Sequence, residues 1–203
     1  MKKLFAFLFS IIVLPGVADN CLQYKSAPEI LLNSPDWSKT VVQPTVPMDL
    51  WHGNVVATLQ DSYDVLTEIK PVDDGYCVVL KSVGATVGYS EFLVQIDMRH
   101  TPDTCPYNAV LKHEEKHIQT YLSVMDDFRD DFQDAVFVAA DSIMPIWIAT
   151  RDDADRAVDM MNNELQSHPD LILVKQKLHA AEEIKNKQVD RDETGIDLAN
   201  CFE

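Results

Sequence analysis

The sequence predicts an α+β fold, with a small antiparallel sheet in the N-terminal half followed by a long helix and two further helices. Three observations carry that expectation. Residues 54–99 hold several short runs of β-branched and aliphatic residues bounded by turn signals. No glycine occurs between Gly88 and Gly195, a gap that suits helices better than loops. From Tyr107 onward, apolar residues recur at helical spacing.

The chain has 203 residues, of which 46% are hydrophobic and 25% charged, so it can bury the core of one domain. Lys and Arg number 17 against 33 Asp and Glu, a net charge of -16. A surface that acidic repels phosphate backbones, which excludes nucleic acid as a partner. There is neither a GxGxxG run nor a Walker-type phosphate loop.

Lys2 and Lys3 precede an apolar run over residues 4–14, and Pro15, Gly16, Val17 and Ala18 follow it. A basic start, a short apolar centre and a small-residue end predict a secretory signal peptide over residues 1–18. Residues 19–203 then form one exported domain, secreted or periplasmic. No later stretch is long enough to span a membrane. Cys21, Cys77, Cys105 and Cys201 all lie in the exported part. Four cysteines in an oxidising compartment predict two disulfides, with three pairings open.

Residues 19–50 are rich in Pro, Ser and Asn and read as loop and edge-strand material. Residues 55–59, 63–69, 76–80 and 92–98 read as strands, with Asp74-Gly75 as a turn. Residues 19–100 are therefore mainly strand and loop, and 104–190 mainly helix. Pro106 suits a helix's first turn, with Thr104 or Cys105 just outside. The helical pattern runs from residue 107 to about 143, where Pro145 interrupts it. A second helix starts at the cap Thr150 and turns Ala154, Ala157, Val158, Met161 and Leu165 to one side. His168-Pro169 ends it. A third helix, with Leu171, Val174, Leu178 and Ala181 on one face, runs to about Lys187, and a polar tail follows.

The first long helix carries His113-Glu114-Glu115-Lys116-His117, an H-E-x-x-H run. Imidazoles four residues apart project from the same helical side and can grip one Zn2+ together. The glutamate between them can take a proton from a water on the metal. Chance produces such a run in about one chain in a hundred of this composition. The helix supports the same reading. Leu111, Ile118, Met125, Phe132 and Val136 share one apolar arc at 3.6-residue periodicity, and Glu114 falls inside it. A carboxylate on a core-facing stripe costs several kcal/mol unless something pairs with it. His117 lies at the arc's edge, and His113 just beyond. The acidic clusters Asp126-Asp127 and Asp130-Asp131 do not match a calcium loop.

The five-residue run resembles the zincin metallopeptidase motif. With the stretch from Gly88 to His117 it is similar to the DUF922-like predicted secreted bacterial zinc peptidases. The resemblance covers about thirty residues. It implies a zincin-like fold, His113 and His117 as zinc ligands and Glu114 as the general base. It also implies that the strand from Glu91 to Arg99 is an edge that pairs with an extended substrate. The Gly and third His that metzincins place after the motif are absent here. In gluzincins the third ligand is a glutamate on a later helix, which makes Glu164 the candidate and His168 the reserve. His52 and His100 are further possibilities. Tyr107 and Tyr121 could serve an oxyanion but read as core aromatics.

The expected function is therefore that of a secreted zinc-dependent peptidase or hydrolase acting on a peptide or protein substrate. The alternative is a non-catalytic periplasmic binding or assembly protein whose metal site is incidental or structural.

Overall fold

Two long strands, joined by the two-residue turn Asp73-Asp74, form the backbone of the fold. They are seen in a computed structural model that describes residues 19–48, 52–192, 198 and 201. The segment expected to be a signal peptide, residues 1–18, lies outside the described residues. Strand β1 is Glu29–Asn33, β2 is Ser38–Val42, β3 is Gly53–Val72, β4 is Gly75–Ile96 and β5 is Ile146–Ile148. Helix α1 is Asp19–Leu22, α2 is Cys105–Asp127, α3 is Arg129–Ser142, α4 is Ala154–Gln166 and α5 is Pro169–Asp192. The architecture is α+β, as expected.

The sheet corrects the expectation of an antiparallel one, because it is mixed. β3 and β5 run antiparallel to β4, whereas β1 and β2 run parallel to it. The four short strands expected between residues 55 and 98 are two continuous ones. Two irregularities in register explain the mistake. Thr58 pairs with Glu91 and Leu59 with Tyr89, leaving Ser90 as an extra residue; Leu66 pairs with Ser82 and Thr67 with Leu80, leaving Lys81. Each bulge shifts the two-residue alternation by one. Buried side chains therefore run Val78 and Leu80, then Val83, Ala85, Val87 and Tyr89, then Phe92, Val94 and Ile96. All of them face one core. The partner on the far side of β4 changes at the same points: β5 pairs before Lys81, β1 between the bulges and β2 beyond Ser90. Strand β4 is therefore the sheet's centre. The stretch Glu91–Gln95 pairs on both sides and cannot be the free edge that the zincin resemblance implied.

The helices cover the core face. Thr104 is the N-cap of α2, and Pro106 sits in its first turn. The expected single helix from 107 to 143 breaks at Phe128, whose backbone (φ -95, ψ 0) leaves helical geometry before α3 begins. Thr150 precedes a 3-10 turn, Arg151–Asp153, that leads into α4 and buries Ala157, Met161 and Leu165. Helix α5 buries the expected Leu171, Val174 and Leu178, but runs past Lys187 to Asp192. Strands and helices share one hydrophobic cluster.

The four cysteines pair Cys21 with Cys77 and Cys105 with Cys201. The first bond pins α1 to the hairpin, where Cys21, Cys77 and Val79 form a small second core with Tyr24, Val72 and Trp147 against it. The second ties the chain's end to the start of α2. Loops of 56 and 96 residues are closed, and chain entropy alone makes such closures worth about 4–5 kcal/mol each. Both bonds suit an oxidising compartment. Among the described residues, no helix is long and apolar enough to cross a membrane.

Candidate metal centre

Helix geometry sets the first part of the site. His113 and His117 lie one turn apart on α2, and their Nε2 atoms are 3.1 Å from each other. The rings stand nearly perpendicular, 4.8 Å between centroids. Glu114 is rotated by about 100° from His113, which turns it toward the sheet. It is only 4% exposed.

The third group comes from α5. Asp190 Oδ1 lies 3.1 Å from His117 Nε2 and 3.4 Å from His113 Nε2. Among the described residues, these three are the group whose donor atoms converge closely enough to hold a metal ion. Two imidazoles and one carboxylate are a donor set that could hold a divalent metal ion. The other nitrogen of His117 is also engaged: its Nδ1 lies 2.8 Å from Asn186 Oδ1. An amide oxygen only accepts, so the proton shared here is carried by Nδ1, and Nε2 is the ring atom turned toward Asp190 and His113. Ligating histidines are held by partners of this kind.

The expected third ligand, Glu164, is not in this group. It is exposed on α4, where its backbone carbonyl accepts a hydrogen bond from Ser167 Oγ. His168 faces Asp170, with 3.5 Å between Nδ1 and Oδ2. His52 and His100 instead meet each other, Nδ1 to Nε2 at 2.9 Å. Burial and the neighbouring His52 push the His100 imidazole down from its ordinary pKa. Tyr121 packs edge-on to Tyr89 and close to Phe92, and Tyr107 packs against the core. Both behave as core aromatics.

Glu114 sits over the first residue of β3, and burial pushes its carboxyl up to about 7. His113 opposes that rise, and the negative charge of Asp190 adds to it. A carboxyl poised near neutrality can both accept and release a proton.

A hydrogen-bonded turn keeps the start of β3 in place. The amide of Asp97 donates to the His52 carbonyl at 2.9 Å, one step beyond the Gly53–Ile96 pair. The buried Asp97 carboxylate accepts from Arg99 N and Nε through Oδ1, and from Met48 N and Arg99 Nη2 through Oδ2. Gln43 Nε2 donates to the His100 carbonyl at 2.6 Å.

Asp190 and Asn186 had a signal in the sequence. The side of α5 that buries Leu178 continues in steps of four through the buried Glu182, the half-buried Asn186 and the exposed Asp190. That side turns polar where it reaches the His pair, so an apolar periodicity search stops too early. No family profile, curated protein or solved structure matches the chain.

Proposed function

We propose that the chain is an exported, zincin-like, zinc-dependent peptidase in which His113, His117 and Asp190 hold the ion and Glu114 is the general base. The observation that carries this reading is the convergence of the two motif imidazoles with a carboxylate from a distant helix, beside a buried glutamate. When bound, zinc supplies Lewis acidity to a scissile carbonyl and lowers the pKa of an attacking water.

The chain's own residues do the rest. Glu114 accepts the proton of the water and passes it to the departing amine nitrogen. Asn186 holds the His117 ring so that Nε2 faces the centre. The sheet supplies a place for an extended substrate. Among the described residues β3 pairs only with β4, so its other edge is free. The Gly53 end of that edge lies against Glu114. A peptide adding there as a strand would start at the general base.

The test is Glu114→Gln. Zinc content at one ion per chain with hydrolysis of an unfolded protein substrate abolished supports the reading. Full hydrolysis by that variant excludes the mechanism. Wild-type protein that takes up no zinc favours the non-catalytic binding or assembly role instead.

A further inference from the structure

We infer that Glu182 is a positioning residue for the metal centre, its buried carboxylate setting the rotation of α5 that brings Asn186 and Asp190 to the motif histidines. The inference rests on the reading of the centre given above.

Helix α5 supplies no motif of its own. Its buried residues Leu171, Val174 and Leu178 decide which side faces the core, but aliphatic packing is non-directional and tolerates small rotations. Side-chain atoms lie about 5–6 Å from a helix axis, so a rotation of roughly 20° moves them by about 2 Å. That is enough to carry the Asp190 oxygen out of reach of both imidazoles. Something directional has to hold the helix.

Glu182 is 5% exposed and stands one turn before Asn186 and two before Asp190 on the same side. Tyr89, a residue of the central strand β4, donates its hydroxyl hydrogen to Glu182 Oε1. Tyr89 is itself held, with its ring 5.4 Å from Phe92 and 5.3 Å from Tyr121. On the other oxygen, His179 Nδ1 lies 3.1 Å from Oε2. The carboxylate is thus bonded to the sheet on one side and to its own helix on the other. Burying it is costly, and an apolar pair in place of the Tyr89 hydroxyl and the Glu182 carboxylate would serve stability about as well. Register and rotation are the uses that justify such a group.

This separates the inference from a plain stabilising role. In the full-length protein, Glu182→Leu combined with Tyr89→Phe, which removes both partners of the buried bond, should leave the unfolding temperature of the zinc-free form about unchanged. It should weaken zinc binding by about 10- to 100-fold, as loss of a ligand's support does. The visible spectrum of the cobalt-substituted protein should change in shape, because one donor is displaced. Glu182→Gln, which keeps an acceptor for Tyr89, should recover affinity to within about threefold of wild type. Should the leucine variant not fold, Tyr89→Phe removes the hydroxyl alone and should weaken zinc binding. Variants that bind zinc with wild-type affinity and cobalt spectrum overturn the inference while leaving the centre intact. A wild-type chain that binds neither ion overturns the centre itself.

Discussion

Gly53 lies directly beneath Glu114: a methyl group on its Cα would come within 2.5 Å of Glu114 Oε1 and 2.6 Å of Val110 Cγ1. Gly88 is the glycine with a left-handed backbone among the described residues, so Gly53 serves space rather than conformation. The floor of the proposed active site is thus a bare stretch of β3 backbone. Gly53→Ala should push the carboxylate aside. Misplacement of about 1 Å costs roughly 100-fold in rate, so peptide hydrolysis should fall on that scale. Overpacking should also lower stability by about 1–3 kcal/mol. Zinc affinity should change by less than about threefold, since neither histidine is touched. Steady-state kinetics beside a zinc titration would check this, and an unaltered kcat/KM would refute it.

Asp190→Ala removes the carboxylate that lies within 3.4 Å of both imidazoles. Zinc affinity should drop by more than the about 10- to 100-fold typical of losing an outer partner. Glu164→Ala and His168→Ala should bind zinc as the wild type does. Competition against a fluorescent chelator measures all three. A loss at Glu164 with none at Asp190 would return the third ligand to α4.

Asp97 contributes to the fold's stability in a way that acid removes. Its bonds from Arg99, above all, and from the Met48 amide hold its carboxyl well below the ordinary carboxylate range, outweighing the opposing effect of burial. A group whose folded pKa is depressed contributes stability above its unfolded pKa of about 4 and loses it as pH falls through the folded value. Asp97→Asn should therefore lower Tm at pH 7, by roughly 5 °C or more. The gap between variant and wild type should close progressively below about pH 4. Thermal scans from pH 7 to pH 2 measure it; a gap that stays constant would assign the loss to packing instead.

Much of the helical half was legible because helical geometry is local. Thr104 and Pro106 mark the start of α2, and Thr150 and His168-Pro169 bracket the turn and helix between them. The sheet was harder to read. The bulges at Lys81 and Ser90 break the alternation of β4, so a period-two reading divides one strand into pieces. Nothing local says that β1 and β2 pair in parallel with it, because those contacts join residues about fifty positions apart.

The same division runs through the site. His113, Glu114 and His117 are related by the turn of one helix, so their spacing alone places two imidazoles together and the glutamate beside them. Asp190 and Asn186 meet them from a helix more than sixty residues later, and Gly53 from a strand sixty residues earlier. The disulfide partners were equally open, three arrangements being consistent with four cysteines. Those choices belong to tertiary packing. A short helical segment settles its own side-chain directions through backbone hydrogen bonds, whereas the approach of separate elements depends on how the whole core closes between them.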